Sequence, residues 1–420
     1  MKKIAFVIQQ YGTAICGGAE LHCRLIAERL SAYYEVEVLT TCSVDATDWA
    51  DHYAPGKSLI NQVTVRRFPV AQKRDTHAMN LLEKKIRPHL DKSNFSILKR
   101  FTGLFKKYAT KEDQQEKAEW DWMLAQGPYC PQLISYLREN HQDYQRLFFF
   151  TYLYYPTIAG IDIDPARSIL IPTAHDEWAI YLSLYRNLFG KPAYILFNTA
   201  AEMKLVRQLA AIPDQRCMIA GAGVQIPDLT EISDVKNKFG IQSSYILFVG
   251  RVEVNKFPPE FFQWFLNYIS KSGRSLQLVL TGELFLKVPE HPAIITTGYV
   301  SELDKYHLMK NAELLLQPSL FESLSMVLLE SFSLGKPVLV QRSCVVMHEH
   351  IIQSGSGFSF SGEDELEECC NRILDDPSLA FEMGEKGKLY VNRHYQWPAI
   401  MNLYRKLIEN NPENRLGNPS

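Results

Sequence analysis

No stretch of the 420 residues is apolar for long enough to cross a bilayer. The most apolar run, Leu147 to Tyr155, falls well short of the roughly 20 residues a spanning helix needs. The opening MKKIAFVIQQYG carries two lysines but has neither the long apolar core nor the small-residue cleavage site of a secretory signal, so it is expected to form a first strand. The cysteines (Cys16, Cys23, Cys42, Cys130, Cys217, Cys344, Cys369 and Cys370) form no CxxC pair and no regular framework. That excludes a zinc ribbon or disulfide scaffold and points to reduced thiols in a cytoplasmic protein. Charge of one sign is not in excess either. Lys and Arg number 45 against 47 Asp and Glu, so no nucleic-acid partner is expected and any basic site must be local. The GxGxxG fingerprint is missing, which counts against an NAD enzyme. What remains, with 46% hydrophobic and 22% charged residues, is a globular chain long enough for two domains.

The most informative stretch is residues 314 to 340, LLLQPSLFESLSMVLLESFSLGKPVLV. A buried-strand run (Leu314 to Leu316) breaks at Pro318-Ser319. Apolar residues then recur at helical spacing (Leu324, Val327, Leu328, Phe332) until Gly335 and Pro337, and Val338 to Val340 start another strand. In such a strand–loop–helix–strand unit, ligands bind outside the carboxyl ends of the strands. Glu322 stands in that place, and Glu330 follows eight residues later, about 12 Å along a helix, so the two can address different parts of one elongated ligand. Ser323 and Ser325 are candidate N-caps, and the free N–H groups of this helix start, at Ser325, Met326 and Val327, suit a diphosphate.

The same alternation runs through the rest of the chain. Ile4 to Ile8, Val36 to Thr40 and Val63 to Val70 are expected strands. A helix over Ala19 to Leu30 follows the small-residue loop Tyr11 to Gly18. There Gly17-Gly18 either makes a plain tight turn or lets backbone approach a ligand at the helix start, beside Glu20. Leu147 to Tyr155 is expected as one buried parallel strand. Ser168 to Ile171 runs into Pro172-Thr173-Ala174-His175-Asp176-Glu177, a crowd of polar residues at the end of an apolar strand. Ile195 to Asn198 precedes a helix over Ala200 to Leu209, and Gly221-Ala222-Gly223 reads as a linker. Alternation then restarts. Tyr245 to Val249 ends in Gly250-Arg251 with Lys256 five residues beyond the arginine, cations suited to a diphosphate. Leu276 to Leu280 follows, and Ile294 to Thr297 leads into Gly298-Tyr299-Val300.

Residues 83 to 111 stand apart, with nine Lys or Arg against two acids and with Phe95, Leu98, Phe101, Leu104, Phe105 and Tyr108 at helical spacing. They form either a membrane-surface element that docks on anionic lipid or a packed helix with a solvated basic side.

Glu322-x7-Glu330 within PSLFE…LESFSxGKPV resembles the signature of the GT-B, family 4 retaining glycosyltransferases. Gly17-Gly18-Ala19-Glu20, His175 at a strand end and Gly250-Arg251…Lys256 are similar to that family's further motifs. The chain departs from the pattern at Leu324-Ser325, where the family usually has Phe-Gly, and at Phe257, where it has Gly. The resemblance implies two Rossmann-like doubly wound domains facing across a cleft. The acceptor-side domain would span 1–225 and recover a crossover helix over 396–412; the nucleotide-sugar domain would span 226–395. It implies a metal-independent, retaining hexosyltransferase with no cofactor beyond its nucleotide-diphosphate sugar. The acceptor would be a glycan or lipid-linked hydroxyl, in cell-surface polysaccharide synthesis at the cytoplasmic face of a membrane. Glu322 would face the donor sugar and His175 the acceptor or the sugar's 6-position. Glu330 would hold the ribose, Arg251 and Lys256 the phosphates, Gly17-Gly18 the phosphate and acceptor, and Gly298, Tyr299 and Val300 the base. Asp162-Ile163-Asp164 superficially matches the metal-binding pair of another glycosyltransferase fold but lacks its strand context, so no metal is expected. A sugar-nucleotide epimerase of the same architecture and a non-catalytic glycan-binding scaffold are the alternatives.

Overall fold

Short apolar runs bounded by Gly, Pro and polar turns become the strands of two mainly parallel sheets, buried on both faces by helices. The computed structural model describes residues 1–15, 17–90, 109–231 and 233–410. It divides into two units, Met1–Gly221 joined by the chain from Met401, and Ala222–Ile400. Among the described residues no helix is long and apolar enough to cross a membrane.

The first unit holds β1 (Lys3–Val7), β2 (Glu35–Thr41), β3 (Gly56–Ile60), β4 (Val63–Phe68), β5 (Arg146–Phe150), β6 (Ser168–Ile171), β7 (Tyr194–Phe197) and β8 (Cys217–Ile219). Their order is β3-β4-β2-β1-β5-β6-β7-β8, and all neighbours are parallel except the edge hairpin β3–β4. That hairpin turns through Asn61 and Gln62, both at positive φ (47° and 67°), the backbone a tight two-residue β-turn requires. The strand order reverses between β1 and β5, so the loops after these two strands flank the switch point where such sheets take ligands.

The long strand expected over Leu147 to Tyr155 is shorter. β5 stops at Phe150, Thr151 turns at φ 63°, and Tyr155 opens a helix, Tyr155–Ile161. The apolar character of Tyr152 serves side-chain packing instead, against Tyr185 with ring centroids 4.8 Å apart and edge to face. Asp162 and Asp164 are engaged structurally, Asp162 with Lys191 and Asp164 with His141 and Arg167. Of the basic stretch 83–111, residues 91–108 lie outside the described residues; its first residues close the helix Thr76–Ile86. The last helix, Trp397–Glu409, joins the first unit from Met401 onward. There Tyr404, Leu407 and Ile408 are buried. The buried Arg146 guanidinium donates to the carbonyls of Leu407 (3.0 Å), Ala166 (3.1 Å) and Asn410.

The second unit is wholly parallel: β9 (Ser244–Val249), β10 (Leu276–Thr281), β11 (Ile294–Gly298), β12 (Leu314–Gln317), β13 (Val338–Gln341) and β14 (Gly357–Phe360), in the order β11-β10-β9-β12-β13-β14. Counted from β9, this is the 3-2-1-4-5-6 order of a Rossmann sheet, with its reversal between β9 and β12. Gly282, at φ 135°, lets the loop after β10 touch the Gly250 carbonyl after β9; any Cβ there would collide with that oxygen. Phe257, where a glycine is expected, is fully buried against Phe248, Phe261 and Phe262 and so nails the loop after β9 into the core.

Candidate active site

The reversal between β9 and β12 brings two loops side by side in the second unit. The Leu320 N–H donates to the Asn255 carbonyl (2.8 Å), and the Ser319 hydroxyl lies 3.5 Å from the Lys256 carbonyl. Across this seam the Lys256 ammonium donates to Glu322 Oε1 at 2.6 Å, with both side chains partly buried. Arg251 extends from the end of β9 with 56% of its side chain exposed and pairs with Glu253 at 3.2 Å. A partly buried cation–carboxylate pair with an exposed guanidinium in the same loop is a group of charges able to receive a phosphorylated ligand.

As expected, Glu322 is not on the helix that carries Glu330, so the helical rise does not measure their separation. It sits in the loop after β12, and the helix is the short Met326–Ser333. Ser325 occupies the N-cap position but in left-handed backbone (φ 62°, ψ 76°), and its side chain does not cap the helix. The reason is local. In that backbone the Ser325 hydroxyl makes no hydrogen bond to the first-turn N–H groups of the helix. The Ser325 hydroxyl is buried without a hydrogen-bond partner among the described residues.

Glu330 lies inside, 4% exposed. Its Oε1 accepts from the Tyr306 hydroxyl (2.9 Å), and the Lys305 ammonium sits 3.0 Å from both carboxylate oxygens. Burial, and then the Glu330 charge, push the Tyr306 phenol far above its usual range, so it stays a donor. Lys305 and Tyr306 belong to the helix Glu302–Asn311, which the Ser301 hydroxyl caps immediately after Gly298, Tyr299 and Val300. Gly298 turns at φ 65°, and Tyr299 is 74% exposed beside it.

A buried histidine holds the Glu322 loop from behind. His350 Nε2 is 3.1 Å from the Leu324 carbonyl and Nδ1 is 2.9 Å from the Tyr390 hydroxyl. Burial pulls this imidazole down to about 4, so it is neutral at pH 7. A carbonyl only accepts, so Nε2 carries the proton and Nδ1 is the ring's acceptor, facing the Tyr390 hydroxyl, which also donates toward Gln353 Oε1 (3.1 Å).

In the first unit, Gly17 and Gly18 precede and open the helix Gly18–Leu30, and a Cβ on Gly17 would strike the Glu20 carboxylate. Glu20 Oε1 accepts from Gln9 Nε2 (2.5 Å), and Gln9 Oε1 accepts from the Thr151 hydroxyl (3.1 Å), which ties the ends of β1 and β5 to that helix start. His175 follows β6, its Nδ1 3.8 Å from Glu177 Oε1, which itself accepts from Tyr152 (2.6 Å). Asp176 accepts from Tyr181 (2.7 Å). The preceding Thr173 is left-handed at φ 49°, as Thr151 is at the neighbouring strand end; β-branched residues adopt this backbone only under constraint. Part of the constraint is Glu202. Fully buried, it takes the N–H groups of Ala174 and Asn198 at 2.5 Å each, while burial pushes its carboxyl up to about 8.

The structure therefore gathers Arg251, Lys256, Glu322, Ser325, Met326, Val327, Glu330, Gly298, Tyr299 and Val300 at the carboxyl ends of one sheet, and Gly17, Gly18 and His175 at those of the other. Gln9, Glu202, Lys305, Tyr306 and His350 were not singled out from sequence. Only Gln9 carried a usable signal, as a polar residue just past an apolar strand.

Residues 230–390 match the family model described as glycosyl transferases group 1. Among curated proteins, the chain is 26% identical over 187 residues to "Glycosyltransferase 1 domain-containing protein 1" of Xenopus tropicalis, a match over 42% of this chain and 53% of that protein. It is 24% identical over 247 residues to "Alpha-D-kanosaminyltransferase" of Streptomyces kanamyceticus, over 53% of this chain and 62% of that one. The chain thus spans only about half to three-fifths of the length of these relatives. Among solved structures, Anabaena Alr3699/HepE in complex with UDP-glucose superposes with a TM-score of 0.67 at 13% identity, covering 97% of this chain and 99% of that one. The fold is that of the GT-B glycosyltransferases.

Proposed function

We propose that this chain, whose residues 230–390 match the glycosyl transferases group 1 model, moves a sugar from a nucleotide diphosphate to an acceptor hydroxyl with retention of anomeric configuration, as family 4 enzymes do. One observation carries the reading most directly. At the switch point between β9 and β12, a cation (Lys256) and a carboxylate (Glu322) meet at 2.6 Å, with Arg251 exposed in the loop that carries Lys256 and a helix start after Glu322 that the Ser325 side chain does not cap.

As the glycosidic bond loosens, negative charge builds on the leaving diphosphate and positive charge on the sugar. Arg251, Lys256 and the N–H groups of Met326 and Val327 stabilise the first, a preorganised electrostatic role that requires no metal of its own. Donor phosphates draw Lys256 from Glu322 and leave that carboxylate to face the sugar, where it orients the ring and the oxocarbenium-like charge. Glu330 takes the ribose, and Gly298 to Val300 line the base. His175, steadied by Glu177 and by the Glu202-pinned turn, attends the acceptor hydroxyl or the sugar's 6-position. That HepE is described with UDP-glucose, and that another relative is named a kanosaminyltransferase, support a nucleotide sugar as donor. A glycan or lipid-linked acceptor, no resident cofactor and work at the inner face of a membrane complete the proposal.

Calorimetry with UDP, GDP, dTDP and ADP tests it. One nucleotide is expected to bind, and the double variant Arg251→Ala, Glu330→Ala should weaken it by at least about 10-fold, since each charge-assisted contact contributes roughly 1.5–3 kcal/mol. Glu322→Gln should slow transfer far more than it weakens binding. Wild-type nucleotide affinity in the double variant would sink the assignment.

A further inference from the structure

The carboxylate of Glu330 is nearly full before any ligand arrives. A carboxylate offers about four lone-pair positions, two on each oxygen. In this structure Oε1 accepts from both Tyr306 (2.9 Å) and Lys305 (3.0 Å), and Oε2 accepts from Lys305 (3.0 Å). Among the described residues this leaves one position, on Oε2. The donors cannot easily vary. Tyr306 is 2% exposed, the side chain of Lys305 is 18% exposed, and the Lys305 ammonium stands 4.3 Å over the Tyr306 ring, so the two brace each other.

We infer that Tyr306 and Lys305 are positioning residues that restrict Glu330 to a single free acceptor position, so that the site reads one ribose hydroxyl and not the vicinal pair. This rests on the reading that Glu330 meets the ribose. The consequence is chemical. A free carboxylate bridges two neighbouring hydroxyls and loses affinity when either is removed. A carboxylate with one open position discriminates sharply at one hydroxyl and is nearly indifferent to the other. Tyr306→Phe returns a position to Oε1, leaving the ring in place and removing only the donor. Lys305→Met frees a position on each oxygen and keeps the aliphatic stem. Both variants therefore turn a one-hydroxyl reader into a two-hydroxyl one.

Calorimetry with whichever of UDP, GDP and ADP binds tightest, together with its 2′-deoxy and 3′-deoxy counterparts, measures this. The wild-type protein should lose about 10-fold or more in affinity for one deoxy analogue and less than about 2-fold for the other. In Tyr306→Phe and Lys305→Met the ratio between the two analogues should shrink to less than about 3-fold. Two variants guard against one failing to fold. Equal losses with both analogues in the wild-type protein would overturn the inference, as would variants that keep the wild-type ratio while Glu330→Ala weakens the parent nucleotide. Should Glu330→Ala bind the parent nucleotide like wild type, the ribose reading itself fails and the inference with it.

Discussion

Ser325 is the residue where chemistry and backbone disagree most sharply. At φ 62° its Cβ is crowded, at a cost of about 1–2 kcal/mol for an L-residue, and its hydroxyl is buried without a partner among the described residues. Ser325→Gly relieves both and should raise stability by about 1 kcal/mol, seen as a higher urea midpoint at unchanged slope. Ser325→Ala keeps the strain and removes only the hydroxyl, so it should fall below the glycine variant; a glycine variant no more stable than the alanine one would refute the strain. The position was visible in sequence as a serine where the resembling family has glycine, but its conformation was not. Arg251, Lys256, Glu322 and His175 were legible because polar residues gather just past apolar strands, a pattern local to each. Tyr306 and Lys305 were not, since their partner Glu330 lies some two dozen residues away and nothing in DKYHL distinguishes them from an ordinary helix face.

Among the elements, the last helix depends on one side chain from the start of β5. Arg146 carries its charge into the interior and donates to carbonyls at the carboxyl end of Trp397–Glu409, where a cation also complements the helix dipole. Arg146→Met keeps the stem and strands those carbonyls, so a loss of about 2–4 kcal/mol is expected, with amide exchange rising first across 401–409. Uniform exchange, or none beyond wild type, would show that the helix is held by Tyr404, Leu407 and Ile408 alone. Arg146 was not singled out from sequence, and the strand after it was expected to run on to Tyr155. Periodicity cannot separate a buried strand from the aromatic loop that continues it, because both are solidly apolar; it is Thr151 that ends β5, and threonine is ordinarily a strand former. The edge strand β3 escaped notice for the opposite reason. Its residues are mostly exposed, and it has no apolar face to betray it.

On the scale of the whole molecule, the β/α alternation and its restart after Gly221 were readable. The strand order that creates the two switch points was not, because parallel neighbours are chosen by crossovers and not by local pattern. Each unit also buries a neutral histidine behind its site. His22 sits on the helix that opens at Gly18, its Nε2 3.1 Å from the Gly221 carbonyl and its ring edge-on to Phe150; His350 backs the Glu322 loop. Burial pulls both down from 6.5 to about 4. A depressed histidine means that the unfolded chain binds the proton first. The stabilisation is complete above about pH 6.5 and is lost as pH falls toward 4, by as much as about 3 kcal/mol for each histidine. Both units should therefore soften in one acid window, before most carboxylates titrate. Urea unfolding at pH 7.5, 6.0 and 5.0 should show the midpoint falling with pH in the wild-type protein. His22→Gln and His350→Gln should lower stability at pH 7.5 yet flatten its fall between 6.5 and 5. A slope unchanged in both variants would mean that neither imidazole is held neutral by its burial.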